Sequence, residues 1–99
     1  MVKVGNIKTF KDVKPDKAQV LKIAEEVCEV YSAWENCDEE ALNGDFYHCG
    51  ETLEKRMDLI DECCDVIQAT CNLLASMGVK NLTFSMMKCE ERNRKRGRL

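Results

Sequence analysis

Two short acidic motifs, Glu25-Glu26-Val27-Cys28-Glu29 and Glu62-Cys63-Cys64-Asp65, stand inside apolar patterns of helical period. Residues three apart share a helix face, so Glu26 pairs with Glu29 and Glu62 with Asp65. Two such helices packed antiparallel could direct four oxygen ligands at one place. Carboxylates crowded at low dielectric raise one another's pKa and destabilise the fold unless a cation compensates them. Mg²⁺ or Mn²⁺ is the usual partner for hard oxygen donors. Both pairs sit at the edge of an apolar stripe, a half-buried position that solvated acids do not need. Asp58, Glu62, Asp65 and Asn72 continue one line along the second helix. Either motif alone is at least as well explained as the solvated face of a Glu-rich helix; together they bring a metal site level with that reading.

The elements that must carry these motifs follow from the surrounding pattern. Residues 1–14 show no sustained period and read as a flexible or weakly extended arm, leaving residues 15–99 as a single domain. Pro15 and Asp16 announce a helix, since proline is tolerated in a first turn and Asp suits the positive end of the dipole. Val20, Ile23, Val27, Val30 and Trp34 then form a stripe to about Asn36, widened by Ala24 and Tyr31. Asp38 can cap a short turn through Leu42. Gly44 ends it, and an irregular stretch with Phe46, Tyr47 and His48 forms a connecting loop or lid over 37–50. A second helix is expected from about Glu51 to Met77. It carries one stripe of Leu53, Met57, Ile60, Cys64, Ile67, Cys71 and Leu74, and another of Leu59, Cys63, Val66, Thr70, Leu73 and Met77. So wide an apolar surface needs covering on two sides. Gly78 is a natural stop, and a third helix from about Leu82 through Arg94 can pack through Phe84 and Met87, with Met86 or Cys89. The expected fold is therefore all-α, a bundle of about three helices completed by association.

Composition narrows the function classes. At 99 residues the chain is one small domain that buries only about 60–65% of its unfolded surface, so help from a second copy is expected as a homodimer or homotetramer. A content of 44% hydrophobic and 33% charged residues excludes a disordered chain. No apolar run approaches the ~20 residues that span a bilayer, and the start lacks the apolar core of a secretory signal, so a cytoplasmic protein without membrane contact is expected. The seven cysteines are odd in number and several, such as Cys28, Cys64 and Cys71, fall at positions that read as buried, which suits reduced thiols. Cys63-Cys64 and His48-Cys49 lack the CxxC spacing of a zinc site. The net charge of -3 hides a basic end, Lys88, Arg92, Arg94, Lys95, Arg96 and Arg98 against Glu90 and Glu91. That end permits a second class of function, a non-enzymatic helical oligomer binding nucleic acid or an acidic partner. Its shortness and the negative net charge weigh against nucleic acid.

Lys22-x-x-Glu25-Glu26-x-x-Glu29 followed by Glu62-x-x-Asp65 resembles the signature of MazG-like all-α nucleoside triphosphate pyrophosphohydrolases. The ending from Lys88 to Arg98 is similar to that of small, often phage-borne members, so that the resemblance spans roughly residues 20–98. It implies dimers or tetramers that hydrolyse (d)NTP to the monophosphate and pyrophosphate with Mg²⁺, or Mn²⁺ in its place. By position, Glu26, Glu29, Glu62 and Asp65 would be the ligands. Glu25 is the candidate base, although it points about 100° away from Glu26 around the helix and suits a solvent-side role equally. Lys22 could contact a phosphate or pair with Glu26 one turn on. Lys88, Arg92 and Arg96, repeating every four residues, could bring positive charge to the triphosphate with Asn93 hydrogen-bonding substrate, or could complement the helix dipole. Trp34 and Tyr31 could stack on a base or pack in the core, core packing being the better account, and Asn72 could read base or sugar or serve as an interhelical amide. The 32 residues between Glu29 and Glu62 exceed the connection usual in that family, and the 46–49 segment has no counterpart in its motif.

Overall fold

The computed structural model describes residues 1–43 and 50–99, so the expected lid, with Gly44, Phe46, Tyr47 and His48, lies outside the described residues. The fold is all-α, with helices α1 (Lys17–Glu35), α2 (Glu39–Leu42), α3 (Glu51–Ser76) and α4 (Thr83–Lys95). Local chemistry sets the boundaries. Asp16 caps α1 by accepting a hydrogen bond from the Gln19 N–H at 3.1 Å, and Asp38 caps α2 by accepting from Ala41 N–H at 2.9 Å. Gly78, at φ 82°, ends α3: its N–H donates to the Ala75 carbonyl while Val79 N–H reaches back to Leu74. That double bond closes the helix through a left-handed residue, which glycine adopts without a Cβ penalty.

α1 and α3 pack antiparallel and form the body of the fold. The C-terminal end of α1 meets the start of α3, where the Cys37 thiol donates to the Lys55 carbonyl at 3.5 Å. α2 is fastened to α3 by Arg56, whose guanidinium donates to the Ala41 carbonyl at 3.1 Å. The face that α1 turns to α3 is Gln19, Ile23, Glu26, Val30 and Ala33, with Cys37 just past its end. This corrects the expected stripe: Ile23 and Val30 face inward, whereas Val20, Val27 and Trp34 lie about a quarter turn away and are half-exposed, as is Tyr31. Core packing of Trp34 and Tyr31 is therefore not realised within one subunit, because the small Ala33 and the acid Glu26 take the inner line.

On α3, Leu59, Val66, Thr70 and Leu73 turn toward cover while Met57, Ile60, Cys64 and Ile67 remain exposed. One of the two anticipated stripes is thus covered, though Cys63 and Met77 at its margins stay open. Cys28 and Cys64 are also exposed, contrary to expectation, and Cys71 is half-buried; none of the six described cysteines is in a disulfide.

The arm is fastened at two points. Asn72, buried on α3, accepts from Phe10 N–H at 3.0 Å, and Gln68 donates its amide to the Lys8 carbonyl at 2.9 Å. The third long helix behaves differently from its expected role. α4 packs against neither α1 nor α3, and Phe84, Met86 and Met87 are exposed. Met86 lines a cleft with α3 and the arm, while Phe84 and Met87 are left open although part of α3 is itself uncovered.

Candidate metal and substrate site

The antiparallel pairing of α1 and α3 brings Glu26, Glu29, Glu62 and Asp65 together, with one carboxylate oxygen from each lying within 4.8 Å of the others. The i, i+3 spacing does the local work, and the Ala33 and Ala69 positions let the helices approach. The four differ in environment. Glu26 is 7% exposed, Glu62 is intermediate, and Glu29 and Asp65 are at the open rim.

Charge is compensated on one side only. Glu26 Oε1 receives the Lys22 ammonium at 2.9 Å, which holds the Glu26 carboxyl below its ordinary range and raises Lys22 above its own. The second oxygen, Glu26 Oε2, is buried without a hydrogen-bond partner among the described residues, and so is Glu62 Oε2. Glu29 is pushed up, first by its hydrogen bond with Glu62 and then by Glu26. Orphaned buried carboxylate oxygens are costly, and like charges this close cannot all ionise at ordinary pKa. A hard divalent cation relieves both costs, so the donor set fits Mg²⁺ or Mn²⁺: all ligands are carboxylate oxygens, with no thiolate or imidazole among them.

An acidic cleft of about 800 Å³ opens beside the cluster, lined by Glu29, Ser32, Ala33 and Asn36 from α1 and by Glu51, Glu54, Lys55, Asp58 and Glu62 from α3. Ser32, Asn36, Glu54 and Lys55 escaped the motif reading. Their signal was present, since Ser32, Ala33 and Asn36 follow Glu29 at three, four and seven, the positions that share its face.

The remaining candidates are dispersed. Glu25 is outside the cluster, its side chain 66% exposed and 3.6 Å from Lys22. Lys22 realises its pairing role with Glu26. Asn72 is occupied by Phe10 and by Gln68, which donates to it at 3.0 Å. Trp34 is half-exposed on the outer face of α1. Lys88 lies over the Phe84 ring at 5.0 Å, and Asn93 donates to Cys89 Sγ at 3.6 Å while accepting from Arg98 at 3.4 Å. Arg92 stands in the last turn of α4, and Arg96 caps it. Because α4 packs on neither motif helix, this basic group is not assembled with the four acids within one chain.

No protein-family model matches the sequence, and comparison with curated proteins and with solved structures gives no match. Among the described residues, no helix is long and apolar enough to cross a membrane.

Proposed function

We propose that this chain is a Mg²⁺-dependent nucleoside triphosphate pyrophosphohydrolase of the MazG-like kind, cleaving (d)NTP to (d)NMP and pyrophosphate, and acting as a homo-oligomer. One observation carries the reading: four acids from two helices converge around two buried carboxylate oxygens that lack partners. Glu26, Glu29, Glu62 and Asp65 would hold the cation, which when bound supplies neutralisation of phosphate oxygens and activation of water. Lys22 keeps Glu26 ionised and fixes its carboxylate by the 2.9 Å contact. Glu25, open to solvent and outside the cluster, would be the proton acceptor of this reading. The adjoining cleft is strongly acidic, so a bound triphosphate would need countercharge, the role proposed for Lys88, Arg92 and Arg96. Asn93, Trp34 and Asn72 are carried as further substrate contacts, Asn72 under the competing claim of its arm contacts.

The test is pyrophosphate release from a panel of NTPs and dNTPs with Mg²⁺, Mn²⁺ or EDTA. Metal-dependent release with a monophosphate product is expected. Glu62→Gln should lower turnover by at least about 100-fold, since a neutral amide is a poor Mg²⁺ ligand. No release from folded protein would overturn the reading.

A second reading has its own observation, the solvent-exposed basic end of α4 with no helix packed against it. It makes the chain a non-enzymatic oligomer that binds nucleic acid or an acidic partner. A DNA affinity falling steeply with salt, without nucleotide turnover, would select it.

A further inference from the structure

The subunit exposes far more surface than its mass requires. Its accessible area is 8241 Å² for 11.3 kDa, where a compact monomer of that mass exposes about 5,700 Å². The radius of gyration is 16.0 Å, against about 13 Å for a compact chain of 100 residues. The excess, about 2,500 Å², is some three times the ~800 Å² that each partner contributes to a standard interface, and belongs to the range of obligate assemblies. Among the described residues no large side chain is fully buried, and the buried apolar residues are Ala41 and Ala69.

Two features locate where this excess is covered. The uncovered stripe of α3 is Met57, Ile60, Cys64 and Ile67, and its last member, Ile67, lines a cleft of about 1070 Å³. α3 forms its floor, the arm from Val4 to Thr9 one wall, and the start of α4 the other, through Thr83 and Met86. α4 is the second feature. A 13-residue helix is marginal in water unless it packs, yet α4 packs on no other helix of its chain. Met86 faces the cleft, and Phe84 and Met87, one turn apart, offer a separate exposed apolar edge.

We propose that a second copy of this chain covers the open stripe of α3, with the partner's α4 seated by its Phe84 and Met87 edge in the cleft between arm, α3 and α4. A two-fold arrangement makes the contact reciprocal, so one face satisfies both helices and both clefts. The inference rests on the association put forward above and not on the chemistry assigned to the acids.

Sedimentation equilibrium on the full chain tests it. The wild-type protein is expected at dimer mass or a multiple of it. The double substitution Phe84→Asp with Met87→Asp should raise the dissociation constant at least about 100-fold, and Ile67→Asp should do the same from the cleft side. Phe84→Leu and the α1 variant Val20→Ser should leave it unchanged. Among the described residues Phe84 and Met87 pack on no other helix of their own chain, so retained hydrogen-exchange protection across α1 and α3 separates lost association from lost folding. A monomer at every concentration overturns the association as well as the face; a dimer indifferent to the α4 and Ile67 variants overturns the face alone. Mass is read independently of turnover, so neither result decides the hydrolase reading.

Discussion

Lys22 Nζ lies 2.9 Å from Glu26 Oε1, while the other oxygen of the same carboxylate is buried without a partner. A single lysine thus neutralises the outer half of the acid and leaves the inner half facing Glu29, Glu62 and Asp65. The first prediction follows from that asymmetry. Mg²⁺ or Mn²⁺ should raise the melting temperature, and EDTA should return it. At a hundredfold excess over Kd the linkage is worth about 2.7 kcal/mol, on the order of 10 °C for a domain of this size. Glu26→Gln and Glu62→Gln should each remove most of the shift in differential scanning fluorimetry, whereas Glu25→Gln should keep it.

Glu29 should behave in opposite ways with and without metal. Its carboxyl is raised because Glu62 and Glu26 crowd it, so in metal-free protein its charge is a cost. Glu29→Gln removes that repulsion and should raise the metal-free melting temperature. The same variant should lose at least about tenfold in Mg²⁺ affinity, measured by calorimetric titration, as an anionic ligand is gone. A variant destabilised in both states would contradict this account of the cluster.

The caps and the four acids were readable from local chemistry. Asp16, Asp38 and Gly78 act through neighbours within five residues, and an i, i+3 pair shares a helix face whatever surrounds it. The inner line of α1 was not readable, because Val20, Val27 and Trp34 compete with Gln19, Glu26 and Ala33 for the same partner and only the approach of α3 decides between them. Asn72 was ambiguous for a related reason: its partner Phe10 is 62 positions away in a stretch with no period of its own. The failure of α4 to pack was hidden too, since an apolar stripe states that a helix needs cover and is silent about which chain supplies it.

The pH dependence of the metal-free protein should carry the Glu29 sign. Between the ordinary carboxyl value of 4.5 and its raised value, folded protein holds a proton on Glu29 that unfolded protein has released. Stability therefore falls as pH rises through that window. Glu26 has the reverse sign: the Lys22 contact lowers it, so its contribution is present above its ordinary value and is lost as pH falls through the lowered one. Melting curves from pH 4.5 upward should show metal-free stability declining through that window, with the decline absent in Glu29→Gln. The Mg²⁺-induced shift should grow over the same range, because the ion competes with the Glu29 proton.

Asn72 separates a structural amide from a substrate contact. Its Oδ1 accepts from Phe10 N–H and from Gln68, which also holds the Lys8 carbonyl, so one side chain ties the arm to α3. Asn72→Ala leaves the Phe10 N–H without that acceptor and should cost about 1–3 kcal/mol in urea unfolding. Hydrogen exchange at Phe10 should accelerate while amides around Glu26 and Glu62 keep their protection. If the arm contact is the whole of its role, KM for the nucleotide stays at the wild-type value once the variant is assayed well below its melting temperature. A raised KM with intact arm protection would instead place Asn72 on the substrate, and Gln68→Ala decides which origin applies, since it loosens the arm through Lys8 without removing the Asn72 amide.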